Sequence, residues 1–253
     1  MAIKKIGIFV IFMLFTKFAF AGITITPVRV EAPLPPGGSY LGKYTVRNDY
    51  DVPIKVNVSA RDWFVLPENR GIKIDDWLVL SPREISLKPG ESGYVDYSVT
   101  ISTKSVGALV GMVSFVPVLE KDQGFTLMVS AGIFIPVKGT EKIDWSFSDV
   151  KVASDRGKLQ VSALVKNSGN IYLRPEGSVT IRSGKKAVQE IKLPEGRPVY
   201  PGRSREVIGS SDAIFKLEEG SYKASISIEC YGQKKMKELK FIVDKAGNVI
   251  VAA

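Results

Sequence analysis

The 253-residue chain contains no histidine. This absence removes the side chain that most often serves as a general base, and with it Ser-His-Asp triads and Cys-His pairs. Zinc sites built from cysteine and histidine are excluded by the same composition. Carboxylate bases are not favoured either, because the adjacent pairs Asp75-Asp76 and Glu218-Glu219 would point to opposite faces of a strand. We therefore expect no enzymatic activity, no metal and no cofactor.

Cysteine is nearly as scarce, because Cys230 is the only one in the chain. A single thiol cannot close an internal disulfide, so the fold has to be held together by burial of apolar side chains. Cys230 continues the apolar alternation of Tyr222, Ala224, Ile226 and Ile228. We predict that it is a small buried side chain rather than a reactive thiol.

Long hydrophobic runs are also missing. The run Ile6–Phe15 is shorter than the roughly 20 residues that a membrane-spanning helix needs, and no later run is longer. It follows the basic pair Lys4-Lys5 and precedes Ala19-Phe20-Ala21, which has the pattern of a cleavage site. Residues 1–21 are therefore predicted to be a secretory signal peptide. The mature protein is expected to be soluble or peripheral, without membrane insertion.

The chain is basic, with a formal net charge of +9. A modest positive charge supports solubility and a weak attraction to anionic surfaces. It does not by itself indicate a nucleic-acid partner, and the predicted export argues against one.

What the chain does contain is a period-two alternation of apolar and polar residues, which is typical of half-buried β-strands. In the first half the pattern predicts strands at 23–31, 40–48, 52–63, 84–88, 93–102, 108–118 and 124–137. In the second half it predicts strands at 143–152, 157–166, 171–182, 186–193, 203–209, 221–230 and 235–243. No amphipathic helix of ten or more residues is evident. Short strands separated by glycine and proline turns predict an all-β sandwich architecture.

One short pattern occurs twice. Arg47-Asn48 ends a predicted strand, and a Pro-Gly-x-Ser turn at Pro89–Ser92 introduces a later one. Lys166-Asn167 and the turn at Pro201–Ser204 repeat this arrangement. The repetition predicts one β-sandwich plan used twice, in domains at 22–138 and 143–245 with a short polar linker between them. The tail, 246–253, is either an extra edge strand or frayed.

Six segments then occur in a recognisable order in the first half. They are Ile23-Thr24-Ile25-Thr26-Pro27-Val28-Arg29-Val30, Tyr44-Thr45-Val46-Arg47-Asn48, Val52-Pro53-Ile54-Lys55-Val56, Leu87-Lys88-Pro89-Gly90-Glu91-Ser92, Val116-Pro117-Val118 and Ile133-Phe134-Ile135-Pro136-Val137. In this order they resemble the N-terminal immunoglobulin-like domain of periplasmic pilus-assembly chaperones. The second half is only loosely similar to that family and looks more like bacterial surface immunoglobulin-like domains. The resemblance implies two immunoglobulin-like β-sandwich domains in tandem.

The resemblance also implies a binding mode. In that family the first domain lends an alternating strand to an incomplete pilin subunit, where main-chain hydrogen bonds give affinity and alternate side chains fill pockets. The matching side chains here are Phe125, Leu127, Val129, Ala131 and Ile133. The same stripe is equally compatible with an ordinary strand that faces its own core.

A second implied feature is a basic pair that holds the subunit's C-terminal carboxylate. Arg29 stands at the position of the family's arginine, and a guanidinium is suited to bidentate carboxylate binding. The family's lysine is not matched, because the corresponding stretch is Ala131–Ile135 and Lys138 comes too late. The alternative for Arg29 is a surface charge on an edge strand.

We therefore expect an exported, non-enzymatic, chaperone-like protein that assists the assembly of pilus or other surface subunits by β-strand addition. Its partner would be a pilin-like or surface protein subunit, and its location the periplasm, with the cell surface or the medium as alternatives. The alternative function is a structural or adhesive cell-surface module that binds proteins or glycans. Glycan binding would draw on the Asp-Trp pairs at Asp62-Trp63, Asp76-Trp77 and Asp144-Trp145.

Overall fold

A computed structural model describes residues 22–119, 127–155, 158–212 and 217–251. Regular structure in these ranges is almost entirely strand, and the helices described are two 3₁₀ turns, Pro67–Asn69 and Ile74–Asp76. None of the described helices is long and apolar enough to cross a membrane. The predicted signal peptide and Phe125 lie outside the described residues.

The first half forms a sandwich of two sheets. Its strands are β1 (Ile23–Thr26), β2 (Arg29–Glu31), β3 (Ser39–Asn48), β4 (Ile54–Phe64), β5 (Leu78–Ser81), β6 (Glu84–Leu87), β7 (Ser92–Thr100), β8 (Ala108–Val118) and β9 (Val129–Pro136). One sheet has the order β1-β3-β7-β5 and the other the order β2-β9-β8-β4-β6. Alternate residues of each strand face the space between the sheets, so a single apolar core fills it.

The second half repeats this architecture. Its strands are β10 (Trp145–Asp155), β11 (Lys158–Asn167), β12 (Glu176–Ser183), β13 (Lys186–Leu193), β14 (Ser204–Ser210), β15 (Gly220–Cys230), β16 (Gln233–Val243) and β17 (Val249–Val251). They form the sheets β10-β11-β14 and β13-β12-β15-β16-β17. The protein is therefore all-β, with two immunoglobulin-like β-sandwich domains in tandem, as the sequence predicted. Strand β17 lies in the predicted tail and pairs with β16 at the sheet edge.

Both cores are built from β-branched residues around a few aromatic rings. Tyr44 and Phe115 meet edge to face in the first core with ring centroids 5.3 Å apart, and Tyr222 stacks on Phe241 in the second at 5.5 Å. Cys230 is buried in the second core, as predicted, and burial raises the pKa of its thiol to about 12. Each fully buried aliphatic side chain contributes roughly 1.5–3 kcal/mol, so burial is the main favourable term in domains that have no disulfide among the described residues.

The repeated asparagine of the first half is a buried structural residue. Asn48 is fully buried, and its Nδ2 donates to the carbonyl oxygens of Val52 (2.9 Å) and Leu87 (3.1 Å). Its Oδ1 accepts from the backbone N–H of Tyr50 at 2.9 Å. One side chain thereby ties the end of β3 to the start of β4 and the end of β6.

Asn167 of the second half has the same set of contacts. Its Nδ2 donates to the carbonyl oxygens of Ile171 (2.7 Å) and Val199 (2.8 Å), and its Oδ1 accepts from the N–H of Gly169 (2.9 Å). The donor and acceptor pattern matches that of Asn48, including the partner four residues later in the chain. The sequence repeat therefore reflects a repeated structural device.

Two departures from the predicted strands change the sheet topology. The predicted strand 23–31 is two strands in different sheets, since β1 pairs with β3 while β2 pairs with β9. The chain crosses between the sheets at Pro27, which has no N–H for a ladder and whose peptide bond with Thr26 is cis. The short edge strand β5 was not predicted, because Leu78, Val79 and Leu80 are all apolar and show no alternation.

Candidate functional site

Strand β9 has one fully paired edge and one partly open edge. On one side it pairs with β8 along its whole length. On the other side β2 runs parallel to it at Gly132–Phe134, where the N–H of Gly132 donates to the carbonyl oxygen of Val28 at 3.1 Å. Within the described ranges no strand pairs with that side of Val129–Ala131. The N-terminal part of β9 is therefore an open edge.

In the described part of the chain, backbone groups at this open edge have no strand partner. Alternate residues of a strand direct their N–H and C=O groups to opposite neighbours. Since Gly132 bonds toward β2, Ser130 directs its groups to the same, open side, and Met128 would do so if the strand were extended by one residue. An added strand could continue the sheet here, in line with β2.

Side chains along the predicted binding stripe differ sharply in exposure. Leu127 is 55% exposed just before β9, and Val129 is half-buried against the first core. Ala131 and Ile133 are both 0% exposed and belong to that core. For these two residues the structure favours the alternative of a core-facing strand, because donating their side chains would open the sandwich. The side chains that remain available are those of Leu127 and Val129.

Arg29 lies on β2 directly opposite Gly132. Its Nη1 donates to Oε1 of Glu195, in the second domain, at 2.5 Å, and its Nε lies 3.7 Å from Oε1 of Glu31. The hydrogen bond to Glu195 raises the pKa of Arg29 above its usual value, and partial burial opposes this only in part. The Arg29 side chain is 47% exposed, so this ion pair contributes at most about 1 kcal/mol.

A second arginine, Arg174, lies beside this pair and was not identified from the sequence. Its Nε donates to Oε1 of Glu31 at 2.8 Å, and its Nη1 donates to Oε1 of Glu195 at 3.4 Å. The guanidinium carbon lies 4.8 Å from the ring centroid of Phe134 and 5.5 Å from that of Tyr172. With 14% of its side chain exposed, Arg174 is fixed in orientation by this packing.

These residues lie on the wall of a cleft between the two domains, with a volume of about 860 Å³. The first domain contributes mainly apolar and small side chains from β4, β8 and β9, including Trp63, Met112 and Ser130. The second domain contributes Arg174, Glu195 and three neighbours, Arg197, Tyr200 and Arg205. The cleft is lined by four arginines, counting Arg29, and by one carboxylate, so it favours an anionic group.

The two walls of the cleft are held together by packing as well as by charge. Phe64 of β4 stacks on Tyr200 with ring centroids 4.7 Å apart, and Phe134 of β9 packs on Tyr172 at 4.9 Å. Phe134 is part of the second domain's core cluster. The open edge of β9 and the arginines of the second domain therefore face one shared space.

The Asp-Trp pairs do not form a common aromatic platform. Trp77 and Trp145 are buried in separate cores, whereas Trp63 is half-exposed at the cleft with Arg61 over its ring at 5.8 Å. In the described part of the chain no group of three or more cysteine or carboxylate side chains is placed to hold a metal ion.

Neither a protein-family model nor a curated protein matches this chain. The structure is similar to solved structures of fimbrial and periplasmic chaperones, as the sequence resemblance predicted. The Pseudomonas aeruginosa CupB2 chaperone is 13% identical, with 85% of this chain and 98% of that chain covered and a TM-score of 0.45. The YadV chaperone is 14% identical over 86% and 98% of the two chains, with a TM-score of 0.47. The E. coli chaperone DraB is 16% identical over 86% and 96%, with a TM-score of 0.42. Similarities this weak leave the function to be argued from the residues of this chain.

Proposed function

We propose that this protein is an exported, non-enzymatic assembly chaperone that binds a pilus or other surface subunit by β-strand addition. The partner would be a small β-rich subunit that lacks one strand of its sheet. The observation that carries the proposal is the open edge of β9 at Val129–Ala131, which continues directly from the exposed Leu127. An open edge flanked by an exposed apolar side chain is the arrangement that strand addition requires.

The position of Arg29 gives the added strand a direction. Arg29 begins β2 opposite Gly132, and β2 is parallel to β9. A partner strand that pairs with Met128–Ala131 in the same orientation would occupy the line of β2 and end just before Arg29. Its C-terminal carboxylate would then meet the guanidinium, which suits bidentate charge-assisted hydrogen bonds.

The energy available at this edge is sufficient for a transient complex. Each main-chain hydrogen bond contributes roughly 0.5–1.5 kcal/mol, and Leu127 and Val129, which are already partly buried, each add less than the roughly 1.5–3 kcal/mol of a fully buried side chain. Part of this is offset by the ordering of both partners. Because Ala131 and Ile133 remain in the core, the proposal assigns side-chain recognition to Leu127 and Val129 and main-chain pairing to the residues that follow.

The test is co-purification of the tagged protein with its subunit from the periplasm. We expect Leu127→Asp to abolish capture, since a carboxylate would be desolvated at the junction. Val79→Asp is the matched control, because Val79 is equally exposed but lies on the outer face of the other sheet. If the Leu127→Asp variant captures the subunit as well as the Val79→Asp variant does, the proposal is contradicted.

The structure also offers a feature that favours the alternative of a surface-binding module. Leu41 and Val79 are exposed on the outer face of the β1-β3-β7-β5 sheet, on either side of Ser98, and Tyr94 is exposed on the same face. Such a patch is typical of protein contact surfaces. Loss of binding in Val79→Asp, with Leu127→Asp unaffected, would favour this second function.

A further inference from the structure

The position proposed for a partner's carboxylate is already occupied by a carboxylate of the protein itself. Oε1 of Glu195 accepts from Nη1 of Arg29 at 2.5 Å and from Nη1 of Arg174 at 3.4 Å. Two guanidinium groups from different domains thus converge on one oxygen atom. This is the geometry of a two-arginine carboxylate site, with an internal side chain as its occupant.

The site contains a hydrogen-bond donor that Glu195 does not satisfy and that another ligand could use. The Nη2 atom of Arg174 is buried and has no hydrogen-bond partner within the described part of the chain. Its Nε is satisfied by Glu31, and the rings of Phe134 and Tyr172 hold the guanidinium plane in place. A buried donor left without a partner is costly, so a ligand with a second oxygen in reach would gain from binding here.

Glu195 is suited to leave this site. It lies in the connection between β13 and β14, outside the regular strands, and is followed by Gly196. About one third of its side chain is exposed, and an ion pair of this exposure contributes little net stability. If it is displaced, the second bridge between the domains, from Arg174 to Glu31, can remain in place.

We propose that Glu195 is an internal competitor of the partner's carboxylate, so that a bound partner displaces Glu195 and takes its place on Arg29 and Arg174. This inference rests on the proposed function. In the free protein the contact masks the positive charge of the cleft and selects against weak anions. In the complex the released Glu195 turns to solvent, and the partner's carboxylate replaces it as the bridge between the two domains.

The test uses a short synthetic peptide of alternating valine and serine residues, prepared once with a free C-terminal carboxylate and once as the C-terminal amide. Dissociation constants of both forms are measured by calorimetric titration of the full mature chain, Glu195→Gln and Glu84→Gln. Glu84→Gln is the control, because it removes one exposed, ion-paired carboxylate of the first domain away from the cleft.

We expect Glu195→Gln to bind the carboxylate form roughly two- to fivefold more tightly than the wild type, the scale of a partly exposed ion pair. The amide form should show no such gain, and Glu84→Gln should match the wild type with both peptides. An equal gain for acid and amide, or no gain for the acid while the wild type binds it, overturns the competition and leaves strand addition standing. If no variant binds either peptide, the proposed function itself fails.

Discussion

Arg29 of the first domain and Glu195 of the second are joined by a 2.5 Å hydrogen bond across the cleft, although 166 residues separate them in the chain. The bond places a cation at the end of the open edge of β9 and gives that cation an internal counter-ion. Neither domain alone contains the site: the first supplies the edge strand and Arg29, and the second supplies Arg174 and Glu195.

Replacement of Arg29 by alanine should weaken subunit capture without unfolding the domain. A half-exposed, ion-paired arginine is worth little to stability, so the free energy of unfolding should change by about 1 kcal/mol or less. Arg29→Lys should restore capture only in part, because an ammonium cannot bind a carboxylate bidentately. Arg47→Ala is the control, since it removes another exposed, ion-paired arginine of the same domain. Parallel losses of thermal stability and capture in Arg29→Ala would make Arg29 a structural residue.

Truncation of two residues of the predicted binding stripe should change the free energy of unfolding by very different amounts. Ile133→Ala should lower the free energy of unfolding by roughly 2–5 kcal/mol, because it creates a cavity in the first core. Leu127→Ala should change it by about 0.5 kcal/mol or less, because Leu127 is exposed. Urea denaturation of the two variants measures both values. Similar losses would show that Leu127 is packed in the fold and not available to a partner.

Removal of the buried asparagines should destabilise each domain. Asn48→Ala leaves one buried carbonyl oxygen, one part-buried carbonyl oxygen and one N–H without this partner, which should cost about 2–4 kcal/mol. Asn167→Ala should have the same effect in the second domain. Asn57→Ala is the control, because Asn57 is exposed on β4. If chemical denaturation gives Asn48→Ala and Asn57→Ala the same free energy of unfolding, the structural role of Asn48 is contradicted.

Cys230 should resist thiol reagents in the folded protein. Burial raises the pKa of its thiol to about 12, so almost none is thiolate at pH 8, and the little that forms is shielded. Labelling should be slow at pH 8, rise as the pH approaches the raised pKa, and become fast in denaturant. Stoichiometric labelling of the native protein at pH 8 would show that the second core opens readily.

The strands and the two-domain plan could be predicted because their signals are local. Alternation sets which face of a strand is buried, and the buried asparagines bond to backbone groups close to predictable turns. The N–H groups of Gly90 and Gly202, at equivalent places in those turns, bond to the carbonyl oxygens of Asn48 and Asn167. The domain boundaries and the signal peptide stay predictions.

The rest could not be predicted, because it depends on contacts between distant parts of the chain. Arg174 reaches Glu31 across 143 residues, and no pattern near either residue marks the meeting. The alternating stripe that leads into β9 could not separate exposed Leu127 from buried Ile133, since a donated strand and a core-facing strand have the same period. Only the exposure of the side chains in the structure separates the accessible residues of the stripe from the buried ones.

The most direct test of strand addition is amide hydrogen exchange at the edge of β9, measured in the free protein and with its subunit bound. We predict that the amides of Ser130 and Met128 exchange rapidly when free and are strongly protected in the complex. Gly132 is the internal reference, because its amide already bonds to Val28 and should be protected in both states. A bound subunit that leaves the exchange of Ser130 unchanged would contradict the account.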